Sequence, residues 1–438
     1  MTENNIEDKT EDKTKDKSKA KSDKQARPHF DLILYGATSF VGKIMVEYLA
    51  SLPSDEVKWA IAARDEAKLK ALKAEFSLSD KITHFVADAQ DEEALKKICQ
   101  QTKVIVTTVG PYALFGETML KVCAQSGTDY CDLTGEPQWI KKMLDKYEQD
   151  AKESGARIIN CAGFDSIPSD LGVYYTQQLA IERTGKPAKQ IKMRVRKIKG
   201  GASGGTVASL LNVLKEADSD ASLKKLLVNP YMLCPQNHDF HVRQKNHKKA
   251  EYDEQLGIWT MPFVMAAINE RVIHRSNALL NNRYGTDFKY DEAMSAKKAS
   301  TAWTTALGLG AFVAAASISP IRSLLEKYVL PKPGEGPSKK EQLEGMFDMR
   351  FYASLKDEDK SDSQDMSDNA QILQVQVIGD RDPGYGATAK MLTQAALCLA
   401  NDVESLEGGF WTPAAALGDH LIERLAQHAG VKVSRVDY

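Results

Sequence analysis

Short, nearly unbroken apolar runs punctuate the chain between Phe30 and about Thr184: FDLILYG, VKWAIAAR, THFVADA, KVIVTTVG, DYCDLTG and ARIINCAG. Runs of this length without polar alternation read as strands buried on both faces. The segments between them, such as DEAKLKALKAEF and GETMLKVCAQSG, carry helical periodicity instead. After Gly42 the apolar residues Ile44, Met45, Tyr48 and Leu49 recur at helical spacing until Pro53 stops the run. This alternation predicts an α/β fold, with a Rossmann-type, doubly wound parallel sheet over residues 28–188.

Near Lys189 the alternation ends. QIKMRVRK, FDMRFYASL and QILQVQVIG read as strands of a different sheet, with the helix TVASLLNVLKEA after the first of them, so residues 189–382 are expected to form a second, α+β domain. From 383 to 438 the pattern is helical again, in YGATAKMLTQAALCLA and ALGDHLIERLAQHAG, and this segment is expected to pack back near the first domain. Residues 1–27 are charged and nearly devoid of apolar anchors, which predicts a disordered tail.

One segment breaks the soluble pattern. From Ala299 to Ile321 there is no charge, and the length is near that of a bilayer span. Thr, Ser, Gly and Ala make up much of it, and they favour insertion weakly. The expectation is a buried helix or a lipid-facing hairpin, with peripheral membrane contact as the alternative and a true span least favoured.

Composition narrows the function. With 438 residues, 42% hydrophobic and 27% charged, the chain reads as a soluble protein of two or three domains. A formal charge of -2 from interspersed signs supplies no field for nucleic acid. Six cysteines without a C-x-x-C pair indicate a reducing, cytoplasmic setting and no metal site. His238, His241 and His247 lack a ligand cluster around them and are expected at the surface. A homodimer is left open.

The turn GATSFVG between the first strand and helix (Gly36, Ala37, Thr38, Ser39, Phe40, Val41, Gly42) has the outline of a dinucleotide site, with a helix N-terminus facing a diphosphate. Ser39 stands where a second glycine is often found, and its hydroxyl and that of Thr38 are candidate phosphate donors. At the end of the second strand, where an NAD site carries an acid, the chain has Arg64, with Lys68 one turn on. Cations there favour NADP(H) over NAD(H), the alternative being that Arg64 faces water. Asp88, after the third strand, either binds adenine or caps the next helix. Gly110 and Pro111 place bare backbone beside the expected nicotinamide, and Tyr112 is either its aromatic neighbour or a packed core ring.

The blocks GATSFVG, ARD, GPYALFGETMLKVCAQSGTDYCDLTGE, GFDSIPSDLG, SGGTVAS and GGFWTPAAALGDHLIERL together resemble the saccharopine dehydrogenase-like oxidoreductases, and within them the trans-acting enoyl reductases of lipid biosynthesis. The resemblance covers the chain from about Phe30 onward. It implies a Rossmann domain, a second domain over its carboxyl edge, and a nicotinamide cofactor.

For catalysis, Asp165 and Ser166 in the loop after the sixth strand are candidates to orient substrate or relay a proton, alongside Tyr112. In the alternative reading, Ser166, Ser169 or Asp170 only caps the helix starting near Pro168. Ser203, Gly204, Gly205 and Thr206 open a helix whose free amides suit a substrate carboxylate or thioester carbonyl, or form a plain N-cap. The uncharged segment favours an apolar substrate, so the expectation is an NADPH-dependent reductase of an enoyl or carbonyl group on a lipid-like molecule. Two alternatives remain: a lipid-associated scaffold that has lost catalysis, and a saccharopine-type reductase using Arg194, Arg196, Lys197 or Lys199 against substrate carboxylates.

Overall fold

The computed structural model describes residues 28–53, 56–201, 204–328, 336–355 and 372–437, so the expected tail at 1–27 lies outside it. The apolar runs form parallel strands β1 (Phe30–Tyr35), β2 (Trp59–Ala63), β3 (His84–Val86), β4 (Thr102–Thr107), β5 (Asp129–Asp132) and β6 (Arg157–Ile159). Local chemistry sets the helices between them. Ser39 caps Phe40–Ser51 and Asp65 caps Glu66–Glu75, while left-handed Gly127 and Gly155 end Glu117–Ser126 and Pro137–Ser154.

Beyond them lie β7 (Gln190–Lys199), β8 (Glu251–Asp253), β9 (Ile258–Met261), β10 (Lys289–Ala296), β11 (Met346–Ser354), β12 (Ile372–Gly379), β13 (Gly409–Trp411) and β14 (Val431–Arg435). The first sheet has the order β13-β6-β5-β4-β1-β2-β3 and is parallel throughout, with Leu34 opposite Ile61 on one side and Val106 on the other. The second has the order β14-β12-β11-β7-β10-β9-β8; only β7 and β10 run parallel in it. The doubly wound sheet and the separate mixed sheet are the architecture that the apolar pattern predicts.

Residues 383–438 are more than helical. β13 extends the parallel sheet and β14 extends the mixed sheet, each as an edge strand too short to register against the surrounding helical pattern. The alanine-rich helix Thr388–Asn401 that precedes them is buried almost throughout and packs on β1, β4 and β5. Helix Ile167–Thr184 packs on β11 and β12, close enough that a Cβ on Gly172 would lie 2.2 Å from the Phe351 ring. One apolar core therefore runs from Leu34 and Val106 through Met391 to Phe347 and Phe351.

The apolar segment is not a buried helix. It forms helix Ala299–Ser317, joined to Ser319–Tyr328, and only Ala302, Ala306 and Ala316 of the first are buried. Ala302 and Ala306 pack beside Ala250 and Met261, and the opposite face is open.

Candidate functional site

The strand order reverses between β1 and β4, and in an open parallel sheet this is where the carboxyl-end loops part to form a crevice. Gly36, at φ +89°, turns the chain there, and a Cβ on it would lie 2.7 Å from Val109 Cγ2. A Cβ on Gly42 would lie 2.3 Å from the Gly36 carbonyl oxygen, so only glycine lets the helix start this close to the strand. The first-turn amides of Phe40 and Val41 have no partner within the helix and face the same end. These features suit a diphosphate. Thr38 is partly exposed and makes no hydrogen bond to another described residue.

Ser39 behaves differently from the expected phosphate donor. Its Oγ accepts from the Gly42 amide at 2.9 Å and lies 2.8 Å from Thr108 Oγ1, whose own hydrogen goes to the Gly36 carbonyl at 3.0 Å. Ser39 must then donate to Thr108, so its single hydroxyl hydrogen is engaged within the protein and it acts as the helix cap. The Phe40 ring meets Tyr385 edge-on at 4.6 Å, bringing residues from the carboxyl-terminal part of the chain over the turn.

Arg64 follows β2 directly, is exposed, and has no ion pair among the described residues; Lys68 is exposed one turn later. Both cations are free for a ribose phosphate. Asp88 does not cap the next helix. Its Oδ1 accepts from Gln90 N at 3.0 Å, while Asp91 caps Glu92–Cys99 through Ala94 N. Gly110 is exposed and joined to Pro111 by a cis bond at the mouth of the crevice.

Tyr112 is a packed ring. It is 3% exposed, stacks at a tilt on Trp139 with centroids 5.4 Å apart, donates from its hydroxyl to the Thr107 carbonyl at 2.9 Å, and accepts from Leu133 N. Burial, and then the Asp132 carboxylate, hold its pKa well above the ordinary phenol value. It braces the β4 and β5 loops and is badly placed to deliver a proton. Ser166 is also engaged: its Oγ donates to Asn269 Oδ1 at 3.0 Å, and Asn269 Nδ2 donates to Ser169 Oγ and Glu292 Oε2. Its side chain does not cap its helix. Nor does that of Asp170, which accepts from Ser276 Oγ and from the Ala414 amide at the start of a distant helix.

Asp165 remains. Its carboxyl lies between two bare backbones, 3.4 Å from the Cβ position of Gly135 after β5 and 3.3 Å from that of Gly163 after β6. The residue is partly exposed, and no described side chain hydrogen-bonds to it. Desolvation by the surrounding protein, with a smaller contribution from Asp132, pushes its pKa up to about 7. A carboxyl in that state exchanges protons near neutrality.

Glu136 is a site residue that the sequence reading missed. Fully buried, it accepts from Tyr112 N at 2.9 Å, Ala113 N at 3.0 Å and Ser209 Oγ at 2.8 Å. It thereby fixes helix Gly204–Ser219 against the GPY loop. Gly204, Gly205 and Thr206 form the first turn of this helix, and Ser203 lies outside the described residues. Asp132 is similarly central. It accepts from Tyr130 Oη, Asn160 Nδ2, Thr134 N and Cys161 N, and burial raises its pKa to about 7. The DLTGE block holds both acids, but apart from Thr134 their partners lie outside it, Asn160, Cys161 and Ser209 well beyond. Of the three histidines, His247 is buried against Asp291 at 2.6 Å, contrary to its expected surface position. Among the described residues no His, Cys, Asp and Glu group forms a metal cluster.

The saccharopine dehydrogenase NADP binding domain matches residues 32–159. A Mycobacterium tuberculosis relative is 38% identical over 422 residues, covering 92% of this chain and 97% of its own length. The trans-acting enoyl reductase of Mycobacterium ulcerans is 34% identical over 93% of this chain and 98% of its own. Among solved structures, saccharopine dehydrogenase of Saccharomyces cerevisiae is 13% identical with a TM-score of 0.49, covering 93% of this chain and 100% of that one. The matched domain and the crevice that it forms define an NADP-binding oxidoreductase. The chain belongs to the trans-acting enoyl reductase family of the saccharopine dehydrogenase-like proteins.

Proposed function

We propose that the chain reduces an enoyl or carbonyl group on a lipid-like acyl substrate, with Asp165 as the proton donor. The observation that carries this reading is the Asp165 carboxyl: largely desolvated, bound by no described side chain, and poised near neutral pH at the carboxyl edge between β5 and β6. The amides of Phe40 and Val41 with Thr38 would hold the cofactor diphosphate, and Arg64 and Lys68 its ribose phosphate. The cofactor supplies a hydride when bound. Reduction of a C=C or C=O bond needs one proton besides, and protonated Asp165 gives it to the substrate atom left with the electron pair. The residue keeps a small exposed surface, through which solvent would restore that proton.

A polycarboxylate amino-acid substrate has less support. Of the four cations expected to serve it, Arg194 is fully buried and paired with Asp291 at 2.7 Å and Asp253 at 3.1 Å, and Lys199 pairs with Glu344 at 3.1 Å. Arg196 and Lys197 are exposed. The test is NADPH oxidation with a panel of enoyl and keto thioesters, comparing the wild type with Asp165→Asn. Turnover with one acyl class, lost in the variant, supports the reductase. Tight cofactor binding without turnover on any acyl substrate favours the scaffold.

A further inference from the structure

We propose that helix Ala299–Ser317 and the start of Ser319–Tyr328 dock on the surface of an anionic lipid bilayer, lying along it. The outer face carries Trp303 at 42%, Leu307 at 65%, Ile318 at 51%, Ile321 at 39% and Leu324 at 58% exposure. Trp303 and Leu307 are one turn apart, and exposed Gly310, Ala311 and Ala314 carry the same stripe to Ile318. The helix is about 28 Å long at 1.5 Å per residue, so the open face is continuous over five turns.

Charge selects the occupant. Lys297 and Lys298 are exposed at the start of the helix and pair with no acid among the described residues. Arg322, after its end, is buried with its guanidinium on the Ala316 carbonyl and takes no part in the outer face. No acidic residue occurs from 293 to 325. Exposed lysines at the start of an apolar, tryptophan-bearing stripe that no acid interrupts match an anionic headgroup layer. A contact between two copies would press unpaired lysines into a region where interfaces usually lose them. A span is opposed by the inner face, because Ala302 and Ala306 are packed into the cluster with Ala250 and Met261, which crossing would strip open. The helix also packs on Gly204–Ser219, whose Ser209 holds Glu136. If the acyl-reductase reading holds, the docked face lies beside the helix that borders the substrate site. Vesicle binding does not depend on that reading.

The experiment uses the full chain with vesicles of phosphatidylcholine alone or mixed with phosphatidylglycerol, followed by flotation and tryptophan emission. Melting temperature and NADPH affinity serve as folding controls for each variant. Binding should require the anionic lipid. Leu307→Glu should weaken it roughly tenfold or more, and Lys297→Gln with Lys298→Gln by roughly 10- to 30-fold. A blue shift on binding should disappear in Trp303→Phe, which still floats. The proposal is overturned by no binding to anionic vesicles, by binding unchanged in Leu307→Glu, by a dimer that Leu307→Glu dissociates, or by recovery only as a carbonate-resistant integral protein. Loss of NADPH oxidation with vesicle binding intact would count against the reductase reading alone.

Discussion

Ser209 Oγ donates to Glu136 Oε1 at 2.8 Å, so a helix that follows the first strand of the mixed sheet is tied to the loop that ends β5 of the parallel sheet. The same carboxylate receives the Tyr112 and Ala113 amides. Ser209→Ala leaves a buried acceptor short of a donor and should cost about 1–3 kcal/mol of stability. Urea unfolding of the two proteins measures it. Because the partners share one network, Glu136→Gln combined with Ser209→Ala should be non-additive by about 0.5 kcal/mol or more.

Arg64→Ala should weaken NADPH binding by about 1.5–3 kcal/mol, the usual worth of a hydrogen bond to a charged group, and leave NADH affinity nearly unchanged. Calorimetric titration with both cofactors checks it. Equal losses for the two would remove Arg64 from the ribose phosphate.

With its pKa near 7, Asp165 is protonated on the acid side, the state that the proposed donor role requires. The rate of acyl reduction should hold below about pH 7 and fall about tenfold per unit above it. In Asp165→Asn that limb should vanish and the rate should drop by roughly 100- to 10,000-fold. A pH–rate profile of both proteins with one reducible thioester decides it.

Gly42→Ala should abolish cofactor binding and destabilise the chain by about 1–3 kcal/mol, since the new methyl would lie 2.3 Å from a backbone oxygen that cannot turn away. Thermal unfolding with and without NADPH should show a lowered midpoint and no stabilisation by the cofactor.

Asp170 is fully buried on Ser276 and Ala414, and burial raises its pKa to about 7. The unfolded chain releases this proton near pH 3.9. The stability contributed by the protonated form is therefore complete below that value and is lost as pH rises through about 7. Asparagine cannot titrate, so the stability of the wild type relative to Asp170→Asn should be greatest at about pH 4, fall steadily as pH rises, and level off above about pH 7. Calorimetry across that range checks the trend.

What the sequence made legible is what neighbouring residues determine. Gly42 is required by the backbone of Gly36 and Ala37, at most six positions away, Gly36 turns the chain at a positive φ, and Arg64 directly follows its strand, so the turn and the cation beside it could be read locally. The fate of each hydroxyl and carboxyl depends on distant partners. Ser39 finds its acceptor in Thr108, 69 positions on, and Asp170 finds a donor in Ala414, 244 positions on. Tyr112 could be read as ligand neighbour or core ring because only the fold brings Thr107 O and Leu133 N to its hydroxyl. The apolar character of 299–321 was plain, but composition does not say which face a neighbour covers.

The two late strands, β13 and β14, give synthesis of this chain an order. Each closes an edge of a sheet whose other members were made earlier: β13 beside β6, and β14 beside β12. A nascent chain stopped before residue 409 presents both sheets with an unpaired border, and an unpaired border is a template for another chain. Neither sheet is complete until these residues are made, and a ribosome stalled late should leave a product that chaperones hold and proteases clear.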